Sequence, residues 1–391
     1  MAGPLTPDFY RYEWHPLGGV RLDGEFVVVA WADGAELRCY RWWLAEQREF
    51  EPSSREGLLE PCELGDHWQV AEAWVEADGA LAVRWAHDNV VSRYHPGWLR
   101  HVADGQFRPQ SFLPAPIPWD STVLSEPVTY HGPTVLSDSE TFRQWLNDLA
   151  AYGLTRLTSL SLDPNLLESV ARQVGVLRDS HFGPVWDIEA VPDPTSTAYM
   201  SIGLGPHTDL PSLETPPGFQ FFHCIENSCV GGASQMSDGL AIAHHIEEHD
   251  PEAYEALTTL PWVFHGRGTE VDWRWSGPLI DLGVAGTPLT LRTFYPVRTY
   301  PDMAPEDVPR AYRAAHKLAQ LSRDPRFQIT YRLEPGDVAV FDNRRVQHAR
   351  EPFDTGSGRR LFRGCYVNSD DIYCKLRVLN RRAQESELAP V

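Results

Sequence analysis

The spacing of apolar side chains divides the chain into a strand-rich start, a short helical stretch and a long strand-rich remainder. In VRLDGEFVVVAWADGAELRCY two β-rich runs meet at Asp33-Gly34, and WQVAEAWVEADGALAVRWA repeats the pattern around Asp78-Gly79. Asp-Gly between such runs is a strong hairpin signal, so residues 1–105 are expected to form a small β-domain. The prolines of FRPQSFLPAPIPW forbid a regular helix and favour extended chain, which makes residues 106–119 an expected linker. Residues 120–391 then read as one larger domain. There Phe142, Trp145, Leu146 and Leu149 recur at i, i+3, i+4 and i+7 and Gly153 follows, the pattern of an amphipathic helix with its C-cap. LTRLTSLS reads as a strand and NLLESVARQVG as a second helix. Beyond about residue 196 strands dominate, among them QITYRL, DVAVFDN and LFRGCYVN, with PEDVPRAYRAAHKLAQLSR as one helical stretch. The pattern predicts a mainly β fold with flanking helices: a double-stranded β-helix (jelly-roll) behind a small N-terminal β-domain.

Composition narrows the function. A chain of 391 residues exceeds one average domain, and 42% hydrophobic residues with 14 Trp supply buried cores rather than disorder. The net charge of −20 argues against nucleic acid or an anionic membrane as partner. Six scattered cysteines without a CxxC pair point to reduced thiols. MAGPLTPDFYRYEW lacks the basic start and apolar run of a signal peptide, and no segment reaches the roughly 20 apolar residues of a membrane span. A soluble cytoplasmic protein is the expectation.

Candidate chemistry gathers at GLGPHTDLP. His207 and Asp209 are two apart, so on a strand both side chains face one ion. Far downstream, GDVAVFDNRRVQHAR places His348 just after a strong strand. Two imidazoles and one carboxylate on one face of Fe(II) leave three positions for a bidentate 2-oxo acid and O2. An HxD pair alone arises often by chance. What sharpens it is the arginine that follows in GRRLFRGCYVN, where a strand guanidinium suits the distal carboxylate of 2-oxoglutarate. A zinc hydrolase built on the same triad would need a general base beside it, and none follows from HTD. A non-catalytic binding paralogue is a further alternative, separable by succinate production.

HFGPVWDIE, AYMSIGLGPHTDLP, PPGFQFFHCIE, GGASQMSDG, EPGDVAVFDNRRVQHAR and RRLFRGCYVNSDD together resemble the γ-butyrobetaine and trimethyllysine dioxygenase family, a branch of the taurine-dioxygenase-like oxygenases. The resemblance implies that His207, Asp209 and His348 hold iron and that Arg360 anchors 2-oxoglutarate, with the Ser234 hydroxyl against the same carboxylate. The adjacent Arg359 should point to the other sheet face. Retention of Asp209 implies hydroxylation rather than halogenation. It also implies a small-molecule quaternary ammonium substrate, its trimethylammonium group held by cation–π attraction in a cage of Phe182, Trp186, Tyr199 and Tyr366. Two asparagine positions that meet the carboxylate of γ-butyrobetaine in relatives fall here on Ser196 and Tyr295, with Arg292 and Arg298 close by in sequence. Hydroxyls and an arginine suit a tetrahedral oxyanion, which favours 2-(trimethylammonio)ethylphosphonate over γ-butyrobetaine or trimethyllysine. A homodimer formed through the N-terminal domain is a further implication.

Relatives carry a structural zinc in that domain on a CPCxxC-like cluster and a histidine. ELRCYRWWLAEQ keeps Cys39 alone, with His95 as the other candidate donor. One thiolate and one imidazole do not complete a four-ligand structural site, so no zinc is expected. Elemental analysis of purified protein should find iron without stoichiometric zinc; one zinc per chain would contradict the expectation.

Overall fold

Alternation in the first hundred residues is realised as two three-stranded antiparallel sheets. Leu17–Asp23, Phe26–Trp31 and Glu36–Tyr40 form one, and Val70–Val75, Leu81–Trp85 and Val91–Tyr94 the other. Gly34 and Gly79 turn the hairpins at φ of +88° and +89°, a region that glycine enters without a Cβ clash. Val27, Val29, Trp31, Trp68, Trp85 and Trp98 pack between them. Two short helices, Arg41–Glu46 and Pro96–Ala103, are added to the strands that the alternation predicts for this stretch. The second is capped by His95, whose Nδ1 accepts from the backbone N–H of Gly97 (3.1 Å) and Trp98 (3.3 Å). Cys39 lies in the same apolar core, and burial pushes its thiol up to about 12.

The computed structural model describes Thr6 and residues 11–48, 59–105, 112–190, 200–268, 270–283 and 288–387. It divides into two compact units, residues 1–112 with 380–391, and Leu113–Leu379. The division between Phe112 and Leu113 falls inside the expected linker 106–119, whereas the assignment of the whole C-terminal segment to the second domain differs from it. Asn380 belongs to the first unit, where its side-chain amide donates to the Phe112 carbonyl at 3.0 Å. The proline-rich segment 113–119 is also part of the second unit rather than a linker. Prolines keep it extended, but Trp119 is fully buried and donates from Nε1 to the Tyr152 carbonyl at 2.8 Å.

In the second unit a large sheet runs in the order Val185–Glu189, Arg360–Val367, Phe219–Asn227, Val338–Asp342, Leu154–Thr158, Val128–His131, the last pair parallel. A four-stranded antiparallel sheet, Leu204–His207, Val346–Arg350, Ser234–Asp238, Gln328–Tyr331, faces it. Phe219, Phe221 and Phe341 of the first meet Met236, Ile329 and Val346 of the second in one apolar cluster, each large side chain contributing roughly 1.5–3 kcal/mol by leaving water. This is the expected double-stranded β-helix. Helix Ser139–Tyr152 covers the large sheet with Phe142, Trp145, Leu146 and Leu149 buried and Gly153 at φ +70° as its C-cap.

Helices Gly239–His249, Pro251–Thr259 and Ser369–Glu387 were not legible as such. The first follows directly from a strand: Asp238 ends Ser234–Asp238 and also caps the helix by accepting from the Leu240 N–H at 3.0 Å. The break between the two periods is only Asp238-Gly239, which reads as readily as a hairpin turn as a helix start. Among the described residues no helix is long and apolar enough to cross a membrane.

Asp238 also anchors the wall segment. It accepts from the Trp119 N–H (2.9 Å) and from Arg345 Nε (2.9 Å) and Nη2 (2.8 Å), while Arg345 donates on to the carbonyls of Ala151 and Ile117. Removing one member of a buried pair leaves an uncompensated charge and costs about 3–5 kcal/mol. Arg345→Met should lower unfolding free energy by about that amount in a denaturant titration; a shift below about 1 kcal/mol would show that the pair is dispensable.

Candidate metal centre

His207 ends the Leu204–His207 strand and His348 is central in Val346–Arg350; the two stand opposite each other in the antiparallel register. Asp209 follows two residues beyond that strand end. Its Oδ1 lies 3.4 Å from His207 Nε2 and 3.6 Å from His348 Nε2, and one donor atom from each residue falls within 4.8 Å of the others. His207 Nδ1 is 2.9 Å from the Gly205 carbonyl. A proton on Nδ1 donated there leaves Nε2 as a lone-pair donor toward the centre. Burial, together with the neighbouring His207, holds His348 below its usual value and so neutral. Burial opposes ionisation of Asp209, but His348 and His207 outweigh it and hold the carboxyl well below the usual range. Two imidazoles and a carboxylate are the donor set of a non-haem Fe(II) facial triad.

The loop after His207 is held from three directions. Asn343 accepts from the Asp209 N–H (2.7 Å) and donates to the carbonyls of Asp209 (3.2 Å) and Pro217 (3.1 Å). Thr208 donates from its hydroxyl to the Leu291 carbonyl at 3.0 Å. Arg292 donates to the carbonyls of Pro211, Leu213 and Glu214 and lies over the Trp275 ring at 3.4 Å. Sequence reasoning noted Arg292 only as a neighbour of the anion site and did not single out Asn343. An Asn in the turn before a strand looks like turn chemistry, and only the folded register brings it to Asp209.

The carboxylate's other oxygen, Asp209 Oδ2, accepts from the Tyr366 hydroxyl at 2.7 Å. Burial and the adjacent carboxylate raise Tyr366 far above an ordinary phenol, so it remains a donor. The Tyr366 ring meets Trp186 at 4.6 Å, and Trp186 meets Phe182 at 5.8 Å. Trp186 is cross-strand from Gly364, where any Cβ would stand 2.8 Å from the indole. Glycine there lets the indole lie flat against the strand. Three of the four expected cage aromatics are therefore adjacent, while Tyr199 and Ser196 lie outside the described residues.

These groups line a single cavity of about 480 Å³ that also contains Ser234, Arg350 and Arg360. Arg360 opens its strand, lies 4.1 Å from the Phe362 ring, and has no carboxylate partner among the described residues; its Nε makes no hydrogen bond. Burial and the nearby Arg350 push its guanidinium down to about 9, the mark of a dehydrated cation that an anionic ligand would relieve. It fits the distal carboxylate of 2-oxoglutarate, as the triad fits Fe(II). Arg359 points away, paired with Glu189 at 2.6 Å and Glu226 at 3.4 Å.

Two expected substrate contacts are not in this cavity. Arg298 is enclosed by the rings of Trp262 (4.1 Å), Tyr295 (5.0 Å) and Tyr312 (5.4 Å), and neither it nor Tyr295 is part of the lining. Arg298 starts the strand Arg298–Pro301, whose pairing with Trp262–Arg267 sets it over the Trp262 ring instead.

The fold and site define an oxygenase of the non-haem iron class. Residues 119–366 match the model of the taurine catabolism dioxygenase TauD, TfdA family, and the chain belongs to that family of dioxygenases. It is 36% identical to a γ-butyrobetaine dioxygenase of Pseudomonas sp. (strain AK-1), over 94% of this chain and 97% of that protein. It is 25% identical to a trimethyllysine dioxygenase of Meyerozyma guilliermondii, over 94% and 96%. The crystal structure of AAD-2 in complex with Mn(II) and N-oxalylglycine has a similar fold, at a TM-score of 0.51 and 15% identity over 62% of this chain and 96% of that one.

Tyr366→Phe keeps the cage ring and removes the bond to Asp209 Oδ2. Groups that orient a metal ligand are worth about 10–100-fold in metal affinity or activity. Fe(II) affinity of the variant, measured by competition with a chelator, should fall by at least about tenfold; an unchanged affinity would show that Asp209 needs no such support.

Proposed function

We propose that this dioxygenase binds Fe(II) through His207, Asp209 and His348, anchors 2-oxoglutarate on Arg360 with Ser234, and hydroxylates an unactivated C–H bond of a small trimethylammonium zwitterion. The observation that carries the substrate reading is the run of Phe182, Trp186 and Tyr366 along one wall of the cavity that contains the triad. Aromatic faces attract a quaternary ammonium and offer it no hydrogen bond to miss. Bound iron would supply the activation of O2, coupled to decarboxylation of 2-oxoglutarate to succinate. The chain's own residues orient and exclude. Tyr366 and Asn343 fix Asp209, Arg360 takes up negative charge out of water, and Phe222, Met236 and Phe362 keep the cavity lining apolar.

Within this class γ-butyrobetaine is favoured by the named relatives. Preference for 2-(trimethylammonio)ethylphosphonate rested on Ser196, Tyr295 and Arg298; with the latter two outside the cavity lining, it becomes the second reading. Purified Fe(II)-loaded protein supplied with 2-oxoglutarate and air should form succinate and hydroxylated product in step with one of γ-butyrobetaine, trimethyllysine or the phosphonate. Turnover of taurine with none of the three would overturn the trimethylammonium reading.

A further inference from the structure

Among the described residues three arginines line the cavity: Arg267, Arg350 and Arg360. Arg350 donates to the carbonyls of Met200 (2.5 Å) and Ile202 (3.0 Å), and Arg360 is the buried cation described above. The Arg267 guanidinium makes no hydrogen bond or ion pair with any described residue, although its charge is felt by the cross-strand Asp272. It ends the strand Trp262–Arg267, whose antiparallel partner Asp272–Gly277 completes a hairpin, and it is exposed at the solvent side of the cavity. Its cross-strand neighbour Asp272 is already gripped by Arg274 at 3.2 and 2.8 Å. Asp209, the carboxylate among the lining residues, is committed to the two histidines and Tyr366.

The hairpin is seated on the metal loop by a close approach. A Cβ on Gly266 would stand 2.5 Å from Ser212 Oγ and 3.1 Å from the Trp273 ring, so only glycine lets the strand come this near. Gly266 pairs with Trp273, and Trp273 meets His181 edge-on at 5.1 Å, which in turn lies 3.7 Å from the Phe182 ring. The wall that carries Arg267 is thus continuous with the aromatic wall.

We propose that Arg267 is the specificity-determining contact for the anionic end of the substrate, meeting a carboxylate or phosphonate whose trimethylammonium end is in the aromatic cage. This rests on the trimethylammonium reading above and deepens it. A zwitterion then finds an aromatic wall for its cation and, for its anion, a guanidinium with no hydrogen-bonded partner among the described residues, in one cavity. Charge-assisted contacts of this kind are worth about tenfold or more in binding.

The test compares γ-butyrobetaine with n-butyltrimethylammonium, which lacks the carboxylate, as substrates of the Fe(II)- and 2-oxoglutarate-loaded enzyme. Wild-type protein should prefer the zwitterion at least about tenfold in kcat/KM. Arg267→Gln should raise KM for γ-butyrobetaine about tenfold and leave n-butyltrimethylammonium within about twofold, and Arg267→Lys should recover part of the preference. An Arg267→Gln enzyme of unchanged melting temperature that keeps the full preference overturns the assignment, as does a wild type that never prefers the zwitterion. If Arg267→Gln fails to fold, Arg267→Lys decides by the same ratio: a preference undiminished from wild type counts against the assignment and a partial loss for it. A wild type that turns over neither probe, nor trimethyllysine or the phosphonate, overturns the trimethylammonium reading itself; one that takes only trimethyllysine or the phosphonate keeps that reading, and the same wild-type and Arg267→Gln comparison made with that substrate decides the assignment.

Discussion

The site depends on the placement of His207 directly opposite His348 across one antiparallel strand pair. Side chains alternate along strands, so a slip of one residue in either strand would turn one imidazole to the opposite face. The register is irregular between Leu204 and His207, and the loop that follows leaves regular structure at once, with Leu210 at φ +52°. Such a loop would wander without support. Asn343, Thr208 and Arg292 supply it, each through main-chain contacts that do not depend on what is bound. The carboxylate is therefore delivered by backbone held in place on several sides, and the two imidazoles by a sheet.

Charge is arranged with the same economy. The protein carries a net −20, yet its cavity is lined by three arginines and one aspartate. Negative charge outside and positive charge within make the cavity attractive to carboxylates while the aromatic wall receives the cationic end of a zwitterion. Tyr366 joins the two functions, since its ring belongs to that wall and its hydroxyl to Asp209.

That His207, Asp209 and His348 come together, and that Arg360 lines the same cavity, was legible from residue type and order along the chain: HxD on a strand end, a later strand histidine, a later strand arginine. The hairpins at Gly34 and Gly79 and the helix ending at Gly153 were legible for the same reason, as glycine marks positive φ. Asn343, Arg292 and Arg267 were not assigned roles, because their parts arise from contacts across long stretches of chain. Tyr295 and Arg298 lie outside the cavity lining, since the Arg298–Pro301 strand pairs with Trp262–Arg267 and stacks Arg298 on Trp262, a long-range pairing that local sequence does not reveal. The helix Gly239–His249 was missed because a single aspartate serves as the last residue of a strand and the first cap of a helix.

Asn343 and Asp209 are 134 positions apart, and Tyr366 and Asp209 are 157. The strand Phe219–Asn227 is paired on both sides by segments that come more than a hundred residues later. Even the N-terminal unit is completed by residues 380–391. Contacts of such separation make loop closure expensive and folding slow. A ribosome-bound chain that has not yet emerged past Tyr366 contains the histidine–aspartate pair but not the environment that makes it a site. The unpaired edges of Phe219–Asn227 stay open until the last third of the chain arrives, which is the interval in which this fold is most exposed to mispairing.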